Sequence, residues 1–159
     1  MTGPGGNTDA TKTTSYKVVL PFYGYASFAF FIATALLFLS ISNITTHYFH
    51  PHSLALTHIM ALGWGTMMIL GASHQLVPVL IEGKLFSNKL AFTSFVLAAV
   101  GVPLLCYGFY MFDMGWPAKW GGRFVILAII AYLINVAVSM ARSKHENVHA
   151  VFVFTATLW

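Results

Sequence analysis

The chain has 159 residues, 58% hydrophobic and 8% charged, with a formal net charge of +4. A water-soluble domain rarely carries so little charge over so much apolar sequence, whereas an integral membrane protein does. The basic residues stand singly at the ends of apolar runs and form no patch, which speaks against a nucleic-acid partner, and the single cysteine, Cys106, excludes an internal disulfide.

Residues 1–16 are rich in Gly, Thr, Asn and Asp and are expected to be disordered. The first apolar run, residues 20–44, is too long for a signal peptide and has no small-residue cleavage pattern, so it reads as a retained span. Pro21 suits a first helical turn. After a short polar connection the second span covers residues 53–81. Its Pro78 has no N–H to offer the carbonyl of His74, so a kink and a free acceptor are expected there. Residues 82–89 form a second connection. The third span, residues 90–112, has a bend signal at Gly101-Val102-Pro103. Residues 113–122 connect onward, with Trp116 and Trp120 at membrane-interface level. The fourth span is residues 123–140, and residues 142–147 follow it. Residues 148–159 begin a fifth apolar run of twelve residues, about 18 Å of helix and short of a bilayer. The expectation is an all-α polytopic transmembrane bundle over residues 17–159, with four full spans and the start of a fifth. The short last run also suggests the N-terminal part of a longer protein.

Charge sets the expected orientation. Lys12, Lys17, Lys84, Lys89, Arg142 and Lys144 fall on one side and Lys119 and Arg123 on the other. Six against two places the N-terminus in the cytoplasm of a bacterial-type inner membrane, with lipid as the first partner. His47, His50, His52 and His58 then lie at or near the outer face, and His74, His145 and His149 toward the inner.

The second span is the most informative. Between His58 and Pro78 it holds two histidines, a glutamine and three glycines. Ionisable groups at membrane depth are costly and usually face a site or a partner helix. On an ideal α-helix His58 shares a face with Ala61, Leu62, Gly65, Ile69 and Ala72. Most of these are small, so a flat bulky group can lie against them below the imidazole. His74 sits roughly 160° around and about 24 Å along the axis, so the two histidines cannot share one metal. His58 reads either as an axial haem ligand or as a histidine hydrogen-bonded to a neighbouring helix.

An outer-end histidine early in the second span, an Ala/Gly-rich face and then GASHQLVPVLIEGKLF together resemble the catalytic-subunit family of haem–copper oxidases. The likeness is nearest to divergent relatives, including membrane proteins linked to nitric oxide response. It rests on one span plus topology. It implies that His58 is an axial ligand of a low-spin haem, with Ala61, Gly65 and Ala72 as the haem-facing surface. It also implies that the second low-spin ligand, the active-site haem ligand and any copper-binding histidines come from later helices outside this chain. The function it implies is respiratory electron transfer, with other respiratory-chain subunits or a cytochrome c-type donor, or quinol, as partners. It leaves oxygen, nitric oxide and no substrate at all open.

Other constellations have competing readings. His74, Gln75 and Pro78 form a kinked polar turn that either leads protons or water inward or fixes helix packing. His47, His50, His52 and His58 fall close enough to hold copper or zinc, but no carboxylate or cysteine accompanies them, which favours solvated loop histidines. His145-Glu146-Asn147-Val148-His149 matches the HExxH zinc pattern, in which histidines one turn apart bind metal and the glutamate acts as base. The competing reading is a polar helix start with Glu146 facing the positive end of the dipole, or His149 alone as a metal ligand. An intramembrane zinc protease is therefore the alternative to the haem protein. A non-catalytic channel or sensor is the third reading.

Overall fold

A computed structural model describes residues 14–142, 151–153 and 155–156. Helix α1 is Tyr16–Leu39, α2 is Ile41–Ile44, and α3 is Pro51–His58. A π-helical stretch, Ile59–Thr66, joins α3 to α4, Met67–Leu80. Helices α5, Asn88–Tyr110, and α6, Trp116–Ala141, complete the bundle. No strand occurs among the described residues. Among the described residues four helices are long and apolar enough to cross a bilayer: α1, the continuous run Pro51–Leu80, α5 and α6. The chain is an all-α, multi-pass membrane protein whose outer surface, including Phe28, Phe31 and Phe38, faces lipid.

The spans match the expected ones with shifted ends. Helix α1 starts at Tyr16, before the expected residue 20, so Pro21 lies one turn inside it; it stops at Leu39, and a short separate turn, α2, follows. Helix α5 runs unbroken through Gly101-Val102-Pro103. Helix α6 opens at Trp116, seven residues ahead of residue 123, because Pro117 suits a first turn. Of the fifth run, residues 151–153 and 155–156 are helical, and Val153 packs on the core.

Helix α1 buries the stripe Val18, Val19, Phe22, Ala26, Ala29 and Ala33, a helical spacing that gives it one inward face. Two glycines of the second span meet that stripe. A Cβ on Gly63 would stand 3.0 Å from the Ala29 Cβ, and one on Gly71 would stand 3.0 Å from the Phe22 Cβ. In lipid, where apolar surface gains nothing by leaving water, such close backbone approach drives helix association. The contacts are seven residues apart on α1 and eight apart on the second span. In a pure α-helix eight residues turn roughly 80° past whole turns, which would carry one glycine off the interface. Each i→i+5 turn absorbs an extra residue, so the π stretch keeps both glycines on α1. Thr66 accommodates the wide turn by donating its hydroxyl to the Ala61 carbonyl, five residues back, at 2.9 Å.

Helices α5 and α6 form the tightest pair. A Cβ on Gly101 would lie 2.9 Å from the Gly121 carbonyl oxygen, and one on Gly108 would lie 2.9 Å from the Ala118 Cβ. The connection between α4 and α5 is fastened to this pair by polar groups. The Ser87 N–H donates to Asn135 Oδ1 at 3.0 Å, and Asn135 Nδ2 donates back to the Ser87 carbonyl at 3.1 Å. The Phe86 N–H donates to Ser139 Oγ at 2.8 Å, and Ser139 Oγ donates to the Asn135 carbonyl at 2.6 Å. Asn135 is wholly buried. Asn135→Leu keeps the volume but strands the Ser87 N–H and takes one of the two donors from the Ser87 carbonyl, which keeps the Ala91 N–H at 3.2 Å. Unpaired buried polar groups cost about 1–3 kcal/mol. We expect a lower unfolding midpoint and faster proteolysis within residues 82–87 than in the native chain, read by thermal denaturation and limited trypsin digestion.

Candidate functional site

His58 closes α3, immediately before the π stretch. Its Nδ1 lies 2.7 Å from the Leu54 carbonyl oxygen. A carbonyl can only accept, so Nδ1 carries the proton and Nε2 carries the lone pair. Nε2 has no hydrogen-bond partner among the described residues. The ring is half-buried and lies 4.1 Å, centroid to centroid, from the Phe109 ring of α5 at a 32° tilt. The arrangement fixes both tautomer and ring plane, as an axial metal ligand requires.

The surface below His58 is not the single stripe expected. Leu62 turns toward α5 with Ile59, packing on Val102, Cys106 and Val125. Ala61 is exposed, and Gly65 and Ala72 are half-buried. A Cβ on Gly65 would meet only the Met60 carbonyl oxygen of its own helix, at 3.4 Å, so no other described helix occupies that side. The π stretch is the reason for the difference. One extra residue removes about 100° of rotation, so positions beyond Thr66 leave the face that an ideal α-helix gives them. Ile69 accordingly faces outward, whereas Met67, Leu70, Gly71 and His74 are buried. Ala61 and Gly65 flank an open side next to His58; Ala72 belongs to a different phase of the helix.

The same rotation brings His74 to roughly 60° from the direction of His58, instead of roughly 160°. His74 is wholly buried, with its ring 5.3 Å from both Phe22 of α1 and Tyr132 of α6. Nδ1 sits 2.8 Å from the Leu70 carbonyl, so Nε2 again holds the lone pair, here sealed in the core without a partner. The acceptor freed by Pro78 is present and is filled: Thr14 Oγ1 donates to the His74 carbonyl at 2.6 Å. Gln75 is exposed and meets the Tyr23 hydroxyl at 3.2 Å. His74 is a packing residue of the α1–α4–α6 core.

Of the connection histidines, His47 and His50 have the opposite tautomer. His47 Nδ1 accepts from the Phe49 N–H at 3.0 Å, and His50 Nδ1 accepts from the His52 N–H at 3.3 Å, capping α3. Asn43 Nδ2 donates to His52 Nδ1 at 3.3 Å, and Ser40 Oγ stands 2.9 Å from the same atom. The His52 ring stacks on Tyr110 at 4.5 Å. In the neutral rings of His47 and His50 the proton is therefore on Nε2. Among the described residues no three His, Cys, Asp or Glu side chains converge as a metal site.

His145, Glu146 and His149, the HENVH motif, lie outside the described residues. The sequence reading missed four residues that the fold brings in: Leu54, whose carbonyl orients His58; Phe109, which holds its ring; and Asn135 and Ser139, which fasten the α4–α5 connection. Asn135 had a signal, since a lone amide inside an apolar span usually faces the bundle interior. Leu54 had one too, as the carbonyl four residues before a helical histidine. No family model, no curated protein and no solved structure matches the chain.

Proposed function

We propose that this chain is a haem-binding membrane protein of respiratory electron transfer, similar to subunit I of a haem–copper oxidase, with His58 as axial ligand of a low-spin haem. One observation carries the reading. At membrane depth, His58 holds its Nδ1 proton on a backbone carbonyl and leaves Nε2 as a lone pair without a hydrogen-bond partner among the described residues. An axial haem ligand needs one such nitrogen. When bound, the haem supplies a one-electron couple. The chain's own residues orient and exclude: Leu54 sets the tautomer, Phe109 holds the ring plane, and the apolar spans keep water from the ligand. The implied partners are further respiratory subunits and a cytochrome c-type or quinol donor. The test is a reduced-minus-oxidised absorption spectrum of the purified full-length protein, which should show low-spin haem bands. A featureless spectrum after supplying haem during expression overturns the reading.

The orientation belongs to the same proposal. Lys84 and Lys89 stand at one end of the bundle and Lys119 and Arg123 at the other, and with the N-terminal lysines the charge asymmetry favours a cytoplasmic N-terminus in a bacterial-type inner membrane. Reporter fusions after Lys84 and after Lys119 should report the inside and then the outside. The reverse order would place His58 near the cytoplasmic face and remove an outer electron donor from the scheme.

A further inference from the structure

We infer that a slot between α1 and α5 holds one acyl chain of a bilayer phospholipid, drawn from the leaflet on the Tyr110 side. The site does not depend on the function proposed above. Two cavities, of about 320 and 220 Å³, share Ile32, Ile59 and Cys106 and so make one continuous slot. Ala55 and Ile59 of the second span form its floor, and α1 and α5 form its walls. Almost every lining atom is apolar and no charged side chain lines it, so it suits a hydrocarbon tail rather than a headgroup.

The two wall helices close the slot at its deep end. There the Tyr25 ring meets Phe95 edge to face at 6.3 Å, and Phe22 meets the same ring at 5.1 Å. Both helices also press on the second span at Gly63, where an added Cβ would stand 3.0 Å from the Ala29 Cβ and 3.5 Å from Val102 Cγ1. From that level the slot leads up between Leu36 and Tyr110, close to the ends of α1 and α5. It is therefore blind at mid-span and rises toward the membrane interface, where tyrosine is a favoured residue. Its length fits one leaflet. Tyr25 to Leu36 covers about 16 Å of α1, and Val102 to Tyr110 about 12 Å of α5. One leaflet supplies about 15 Å of hydrocarbon, half of the core of a bilayer. The slot is also continuous with the surface that faces lipid: Phe28 lines it and is 63% exposed on that surface. An empty slot would forfeit the dispersion contacts of its lining, and a flexible chain from the surrounding lipid restores them.

Cys106, the single cysteine of the chain, is buried in the wall, 6% exposed, where lipid that merely coats the bundle does not reach. The test uses the full chain in detergent with a phosphatidylcholine that carries a photoreactive diazirine midway along one acyl chain. Adducts are mapped by peptide mass spectrometry. Native protein should give an adduct at Cys106 that saturates at one lipid per chain. Ile32→Trp fills the slot from its half-exposed rim and should reduce that adduct about tenfold or more. Ile32→Ala leaves the slot open and should keep it. Ile129→Trp, the same kind of change on the exposed face of α6, should also keep it. Folding of each variant is checked by its thermal midpoint and by unchanged labelling around Ile130. Labelling confined to the exposed faces, with Cys106 untouched in native protein, means lipid coats the bundle without entering it and overturns the inference. Cys106 untouched in a chain that elutes as a dimer assigns the slot to a second copy and overturns it equally. So does an adduct that persists undiminished in folded Ile32→Trp.

Discussion

His58→Ala is expected to abolish the low-spin haem bands of the full-length protein. Alanine removes the imidazole whose Nδ1 is fixed on the Leu54 carbonyl and whose Nε2 lone pair has no partner among the described residues. The variant should fold, because His58 is half-buried and its one hydrogen bond runs back to its own helix. Gly65→Leu is the companion. A leucine there meets no neighbouring described helix, so it should leave the bundle intact and instead fill the gap beside the ligand. Forcing extra carbons into an occupied slot costs about 1–3 kcal/mol, enough to lower haem occupancy about tenfold or more. His74→Leu should keep the bands, since its nitrogen is sealed in the core; replacing an unpartnered buried acceptor by an apolar group of similar size is close to neutral for folding. The readout is the difference spectrum at matched amounts of folded protein. Unchanged bands in His58→Ala would reduce His58 to an ordinary half-buried helix residue.

Gly121→Leu is expected to unfold the α5–α6 pair, while Gly122→Leu should not. The two glycines are neighbours in sequence with opposite surroundings. A Cβ on Gly121 would run into the backbone of Leu105 and lie 2.9 Å from the Gly101 carbonyl oxygen; one on Gly122 would find nothing within 4 Å. Backbone cannot swing aside as a side chain can, so the helices must separate, at a cost at or above the roughly 1–3 kcal/mol of ordinary overpacking. Gly122→Leu instead replaces a poor helix former by a good one, a gain of up to about 1 kcal/mol. Size-exclusion profiles after mild heating should show Gly121→Leu aggregating first and Gly122→Leu lasting as long as the native chain or longer. Equal behaviour of the two would mean that α5 and α6 do not cross at these glycines.

The number and type of elements were legible because each span is a long apolar run closed by polar or basic residues, and lipid leaves the backbone few choices other than helix. Span ends were less legible: Tyr16 and Trp116 are amphipathic residues that extend a helix past its purely apolar part. The free acceptor at His74 followed from Pro78 alone, since a missing N–H is a local fact. Its partner, Thr14, is sixty residues away in sequence and lay beyond local reading. The stripe below His58 misled because a helical wheel assumes one period, and nothing local in Ile59–Thr66 announces a wider turn. What sets that turn is the spacing of Ala29 and Phe22 on another helix.

That wider turn makes the second span behave like two screws of different phase cut on one rod. A lipid-soluble reagent applied to a series of single-cysteine variants along Pro51–Leu80 would trace a stripe of modified positions that runs true to His58, slips sideways through Ile59–Thr66 and resumes along a displaced line through Ile69, Leu76 and Val79. The slip makes chain length there a tuning element. Deleting one residue inside the stretch would restore a single pitch and turn every position below it by about 100°, rolling His74 out of the core toward lipid.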